Sequence, residues 1–490
     1  VQHYVFRIAL NDDSDAISGD TTVTVRFLHD GLQEWALDLA STMKVASVRS
    51  GDDSAPFTHD RDRLRISLQP PATTGELRSF QIHYGGVPAG GLLALKNKFG
   101  DRCFFSVNWP DLAHQWLPVI DHPYDKATSE FIVTAPVRYQ VVSNGILQEQ
   151  IDLPNGMRAT HWKESVPIPV WLDQIGVAPF ASHHLGRAAG VPLQTWLFPE
   201  DGGVDLGGPL KRAIEFFQGH IGPYPYEKLA GVEAAGLDGG MEVASAIFFG
   251  ESAFSGRLHD SLVAHETAHQ WFGDSVTEKD WDDVWLSEGF ATYLAALATE
   301  QYDGQDAFVA ELKRSRTRVF EAEKRLPGVA VVQDKPWKGI PNQIVYQKGG
   351  WVLHMLRGQI GTERFWAGIR EYYRRYRDSN ASTADFEKLM EEVSGADLHW
   401  FFQQWLYRAG SPVVRGAWRY NPRTKKVELD LVQRQPAAAY RLPMDVALDG
   451  AVAHIDMAAK EQRFEFDAAR APESIVLDPG TRVLMDARLQ

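Results

Sequence analysis

Residues 265–288 read H-E-T-A-H-Q-W-F-G-D-S-V-T-E-K-D-W-D-D-V-W-L-S-E, and this stretch decides how the rest of the chain is read. His265 and His269 are four residues apart. On a helix they leave one face, with Cβ atoms roughly 5–6 Å apart. Two imidazoles so placed can grip one metal ion. Glu266 is turned just off the ligand face and can reach a water on the metal without binding the metal itself. This is the H-E-x-x-H zinc pattern, with the Glu as general base. Eighteen residues separate His269 from Glu288, which lies inside W-L-S-E-G-F-A-T-Y. On a second helix that carboxylate is expected to be the third protein ligand. Three protein ligands leave one zinc position open to water, as catalysis requires. A histidine pair with a flanking Glu also occurs on ordinary solvated helices; the second helix and its Glu argue against that here.

Both helices are legible locally. Leu258, Leu262, Ala268 and Phe272 fall at helical intervals, and Gly273 is the expected stop. Asp282 or Asp283 is expected to cap the second helix, with Trp285, Phe290, Leu294 and Leu297 on its buried side. Toward the amino terminus, residues 1–180 read as β. T-T-V-T-V-R-F at 21–27 and R-L-R-I-S-L at 63–68 alternate, and further strands are expected at 77–87, 129–135, 139–148 and 157–166. Asn144-Gly145 is an expected tight turn, and the Pro- and Trp-rich segment 109–123 an ordered loop. Around 181–195 the character changes. Pro209 is expected to open a helix with Leu210, Ala213, Ile214 and Phe217 on one face, stopped by G-P-Y-P-Y at 222–226. An extended segment, 231–249, precedes the two histidines. Helices follow at about 305–324, 347–358, 362–377, 383–394 and 397–408, one of them opened by a Ser382–Asp385 capping box. Residues 413–490 return to alternating β patterns, as in V-E-L-D-L-V and R-F-E-F-D.

The length, 490 residues, accommodates about three domains. A formal net charge of −14 argues against general binding to nucleic acid or anionic membranes, and mildly favours cationic substrates. A single cysteine, Cys103, allows no intrachain disulfide. No apolar run is long enough to span a bilayer. The chain begins at Val1 on a strand-like pattern, from which a removed leader is expected, favouring a periplasmic or secreted location over the cytoplasm.

Two other places could carry chemistry. Gly239-Gly240-Met241-Glu242 precedes a hydrophobic strand, and paired glycines allow a backbone to approach a ligand closely. The plainer reading is a bulge with an exposed strand carboxylate. Tyr346, in Y-Q-K-G-G before a helix, could donate to an oxyanion near a metal, or could be an ordinary core tyrosine. His114, His122, His183 and His184 have no partner at metal spacing and are expected to be structural or surface residues.

Together these residues resemble the zinc aminopeptidase family typified by aminopeptidase N, over nearly the whole chain in order. The family's H-E-x-x-H-x18-E matches His265, Glu266, His269 and Glu288. Its W-L-x-E-G-F-A matches Trp285 to Ala291, and its Y-x-K-G matches Tyr346, Lys348 and Gly349. Its G-x-M-E-N matches Gly239 to Glu242, with Val243 in place of the final Asn. Its W-x-P-x-x-D-x-P matches Trp116, Pro118, Asp121 and Pro123, with His114 where many members have Arg. The resemblance implies a multidomain α+β protein: an amino-terminal antiparallel β-saddle domain (1–184), a mostly helical thermolysin-like catalytic domain (185–410) and a small β-sandwich (411–490). Many members end in a helical capping domain, so a more open site is expected here. The resemblance further implies one zinc per chain held by His265, His269 and Glu288, with Glu266 as general base. Tyr346 would stabilise the oxyanion, Glu242 would anchor the substrate α-amine, and the glycine segment would pair with the peptide. The implied substrates are peptides with a free amino terminus, and a monomer is favoured. Asp238, beside the glycines, suggests acceptance of basic first residues. A thermolysin-type endopeptidase is the main alternative, opposed by Glu242. An epoxide hydrolase ranks lower, because its carboxyl-terminal region is helical. A binding protein with a dead site is opposed by the complete residue set.

Overall fold

A computed structural model describes residues 1–255, 260–333 and 343–489. The backbone falls into two compact units, 1–280 with 373–381, and 281–372 with 382–490.

In the first unit, strand Ile17–Arg26 alternates buried and more exposed residues along its length, as a sheet with one covered face requires. It lies within an eight-stranded sheet. The order is Ile146–Leu153, Met157–Pro169, Lys126–Pro136, His3–Ala9, Ile17–Arg26, Leu77–Gly86, Lys44–Ser50 and Asp53–Ser54. All neighbours are antiparallel except His3–Ala9 and Lys126–Pro136, which run parallel with Phe6 opposite Phe131. Their covered faces build an aromatic core, with Phe6 and Phe131 at 4.9 Å and Trp116 and Phe131 at 6.1 Å between centroids. The 109–123 segment is ordered. Trp116 is buried and donates to Asn108 Oδ1 at 2.8 Å, and His114 pairs with Asp121 at 2.7 Å.

The run expected as one strand over 139–148 is broken. Asn144-Gly145 turns the chain from Gln140–Ser143 in a four-stranded sheet to Ile146–Leu153 in the eight-stranded one. Gly145 has φ 71°, and a Cβ there would lie 1.8 Å from Lys163 O. The turn therefore joins two sheets rather than two strands of a hairpin.

The third large sheet of this unit runs Ala181–Ala188, Val191–Leu197, Leu229–Ala234, Ala246–Gly250 and Gly240–Met241. Its middle pairs are parallel, and Gly240–Met241 is an antiparallel edge strand. Helix Gly207–His220 buries Leu210, Ala213, Ile214 and Phe217 as the periodicity predicts. Pro209 is its third residue rather than its first, a position where a missing N–H still loses no helical bond.

In the second unit, helix Trp285–Asp303 buries Trp285, Phe290, Leu294 and Leu297. Neither aspartate caps it. Val284 precedes the first turn, and Asp283 accepts from Thr383 Oγ1 at 2.5 Å. The Ser382–Asp385 capping box is present. Residues 413–489 form a four-stranded sheet and a three-stranded sheet. Leu258, counted on the helical pattern, lies outside the described residues. Among the described residues no helix is long and apolar enough to cross a membrane.

His354, on helix Gly349–Ile360, is buried and donates Nε2–H to Thr481 O at 2.9 Å. Burial lowers its pKa from 6.5 to about 4. The unfolded chain takes up this proton first, so His354 contributes its full stability above pH 6.5 and loses it as pH falls through 4. The slope from one such group approaches about 1.4 kcal/mol per pH unit. Equilibrium unfolding at stepped pH should show a shallower fall across that window in His354→Gln than in the wild type.

Candidate metal centre

Helix Asp260–His269 packs Val263, Ala264, Thr267 and Ala268 inward, and Thr267 Oγ1 bonds back to Val263 O at 2.7 Å. It ends at His269, before the expected stop. Trp271 and Phe272 leave the helix to pack against Phe217 and Tyr373, and Trp271 Nε1 donates to Gly222 O at 3.1 Å. Gly273, at φ 117°, lets the chain turn, and Asp274 N returns to His269 O at 3.1 Å. The two histidines keep their shared face. Their Nε2 atoms are 3.1 Å apart and the rings are inclined at 80°.

That separation suits a common ion, since two nitrogens each about 2.0–2.1 Å from a tetrahedral zinc lie roughly 3.3 Å apart. His269 Nδ1 is 3.2 Å from Phe272 O. A carbonyl only accepts, so Nδ1 carries the proton and Nε2 keeps its lone pair for a metal.

Two carboxylates converge on this histidine. Oxygens of Glu242 and Glu266 and a His269 nitrogen all lie within 4.8 Å of one another. Glu242 and Glu266 are 5% exposed and His269 is 1% exposed. The reading of Glu242 as an exposed strand carboxylate therefore fails. Gly239, at φ 78°, turns the chain into the edge strand, where Gly240 pairs with Phe249 and Met241 is buried. A Cβ on Gly240 would lie 2.3 Å from Glu266 Cδ. The missing side chain is the space that the Glu266 carboxylate occupies. Asp238 is exposed beside the turn.

The second unit brings Glu288 and Tyr346 together. Glu288 lies in the first turn of helix Trp285–Asp303, is buried, and accepts from Tyr346 Oη at 2.6 Å. Tyr346 sits in a wide π turn, Ile344–Lys348, a local geometry often found at functional sites. A Cβ on Gly289 would meet Gly349 C at 2.9 Å. Glycine on both sides lets the two helices touch backbone to backbone, which holds the tyrosine and the glutamate within reach. Lys348 is buried and donates to Glu323 at 3.0 Å and Gly410 O at 2.7 Å. Burial, opposed by the Glu323 carboxylate, lowers its pKa.

The four other histidines singled out by the sequence are structural or superficial, as expected. His114 pairs with Asp121, the His122 ring lies 4.4 Å from that of Tyr124, and His183 and His184 are exposed on a strand. Two residues escaped the sequence reading. Asp274 is fully buried, and burial and then the Glu242 carboxylate push its pKa well above the usual carboxylate range. Gln270 is fully buried and bonds to the backbone that carries Glu242. Its one sequence signal is a polar residue set between His269 and two buried aromatics.

Residues 1–172 match the Peptidase M1 N-terminal domain, and residues 209–405 match the Peptidase family M1 domain. A glutamyl aminopeptidase of Bitis rhinoceros is 28% identical over 328 residues, 62% of this chain and 34% of the relative. A probable aminopeptidase 2 of Sulfurisphaera tokodaii is 26% identical over 445 residues, 83% of this chain and 54% of the relative. The chain thus spans a third to about half the length of these curated relatives. An M1 zinc metallopeptidase from Deinococcus radiodurans shares the fold, with a TM-score of 0.70 and 24% identity over 83% of this chain and 92% of that one.

Titration of the metal-free protein with zinc should give one equivalent per chain. His269→Ala should weaken binding by at least about 100-fold, the upper range for loss of an outer-shell partner; unchanged affinity would remove His269 from the ligand set.

Proposed function

Because the chain belongs to peptidase family M1, we propose that it is a zinc-dependent aminopeptidase removing the first residue from peptides with a free amino terminus. The observation that carries this reading is the meeting of two buried carboxylates, Glu242 and Glu266, at His269. A hydrolase cutting inside a peptide uses one carboxylate, as base. A second one, buried beside the ligand histidine and outside the H-E-x-x-H pattern, suits the substrate's α-ammonium.

His265, His269 and Glu288 are the proposed ligands of one zinc ion. When bound, zinc supplies a Lewis acid that polarises the scissile carbonyl and acidifies water. Glu266 takes the proton of the attacking water and delivers it to the leaving amine. Its approach is supported by the room that Gly240 leaves. Tyr346 Oη donates to the oxyanion that develops on the scissile carbonyl, a contribution of about 3–4 kcal/mol in comparable sites. Its hydrogen bond to Glu288 keeps the phenol beside a proposed ligand, and its one proton turns from that carboxylate to the oxyanion as the oxyanion develops. Glu242 pairs with the α-ammonium and so counts cleavage from the amino end. Gly239 to Met241 receive the peptide as an added strand, supported by the edge position of Gly240–Met241 in its sheet. Asp238 is assigned to the first side-chain pocket, favouring basic first residues. The fold is assigned as a β-saddle domain (1–184), a thermolysin-like domain (185–410) and a β-sandwich (411–490), the last supported by the two sheets within 413–489.

A panel of single-residue fluorogenic amides and one amino-blocked peptide, run with and without a chelator, tests the reading. Turnover should be far faster for free-amine substrates than for the blocked peptide and should vanish with the chelator. Glu266→Ala should lower kcat by about 100-fold or more, the range for a positioned base, while retaining zinc. Glu242→Ala should raise KM for free-amine substrates far more than for the blocked peptide; equal damage to both would remove Glu242 from the anchoring role.

A further inference from the structure

Gln270 follows His269 directly, at the point where the helix ends. Its side chain is fully buried and turns toward the segment carrying Glu242. Nε2 donates to Glu242 O at 3.1 Å, with Val243 O at 3.3 Å, and to Asp274 Oδ2 at 2.8 Å. Oε1 accepts from Ser245 N at 2.8 Å and from the Tyr224 hydroxyl at 2.9 Å. One amide thus ties both ends of the turn from Glu242 to Ser245 to the residue beside a histidine proposed as a metal ligand.

The turn needs such a tie. Ser245 is a non-glycine residue at φ 64°, a left-handed conformation that a side chain disfavours. It is held there from three directions: its N–H on Gln270 Oε1, its Oγ accepting from Gly145 N at 2.7 Å, and its carbonyl accepting from Lys228 Nζ at 3.0 Å. Val243 is buried and apolar, so it supplies no side-chain hydrogen bond of its own. The backbone carbonyl of Glu242 is pinned through Gln270, while that of Val243 is shared between Gln270 and Ala246 N at 2.9 Å.

We propose that Gln270 is a positioning residue that fixes the Glu242-bearing turn relative to His269, and so sets affinity for the substrate's α-amine. This rests on the aminopeptidase reading, in which Glu242 receives that amine. Glutamine suits the task because a single side chain offers both a donor edge and an acceptor, and the turn presents carbonyls at one end and an N–H at the other.

Gln270→Met keeps the length and removes every one of these bonds. Tyr224→Phe removes a single hydroxyl from the same amide with little change in volume, and serves if the first variant folds poorly. Two readouts are taken on zinc-loaded protein whose metal content matches wild type. The first is hydrogen exchange of the amides in 242–246, Ser245 above all. In Gln270→Met these should exchange at least tenfold faster, and in Tyr224→Phe by a smaller factor in the same direction. The second is steady-state kinetics. KM for free-amine substrates should rise tenfold or more in Gln270→Met while kcat changes by less than threefold, and KM for an amino-blocked peptide should stay near its wild-type value. Unchanged exchange would overturn the proposal, and so would faster exchange with unchanged discrimination between free and blocked amines. A wild-type protein that itself fails to discriminate would instead refute the assignment of Glu242, whatever the exchange rates show.

Discussion

Two imidazoles one helical turn apart, with their Nε2 atoms 3.1 Å from each other, are the constraint on which the first unit depends. Such a pair serves an ion only if the helix is rigid and both rings present lone pairs to the same point. Rigidity comes from burial of Val263, Ala264, Thr267 and Ala268. Orientation comes from the chain leaving the helix straight after His269, which brings Phe272 O to His269 Nδ1. The departure is driven by Trp271 and Phe272, which gain more from burial among aromatic rings than from continuing the helix on its surface.

Placing charge around that pair has consequences throughout the unit. Glu242, Glu266 and Asp274 are all buried, and buried carboxylates are tolerated only when paired or hydrogen-bonded. Two lysines, Lys228 fully buried and Lys126 partly so, hold the neighbouring backbone. Lys126 donates to the carbonyls of Asp274 and Ser275, and Lys228 to those of Ser143 and Ser245. Burial lowers both to about 7. Their partners are backbone carbonyls of the loops that flank the site. Their work is therefore to fix loop geometry, while Gln270 joins the two loops with a neutral group that burial does not discharge.

In the second unit the same economy appears in glycine. Gly289 follows Glu288 directly and Gly349 lies three residues after Tyr346, and the backbone contact between these glycines brings the phenol within 2.6 Å of the carboxylate. The motifs W-L-S-E-G-F-A and Y-Q-K-G each read as a functional residue with a small neighbour. The neighbour is what permits the approach, since any Cβ at Gly289 would collide with the facing helix.

The sequence by itself determined the shared helical face of His265 and His269, the strand-rich amino-terminal region, the order of the later helices and their buried faces. These follow from periodicities of a few residues, which packing on one face imposes locally. It misplaced what local rules do not govern, the end of the helix carrying the histidines and the cap of the next, and it placed the turn at Asn144-Gly145 without showing that it joins two sheets. Only the tertiary structure decided that Glu242 is buried beside His269, that Gly240 clears space for Glu266, and that Gln270 binds the turn between them. Those facts depend on strand register and on hydrogen bonds between segments distant in the chain. No residue's own neighbours in sequence encode which backbone carbonyl it will meet.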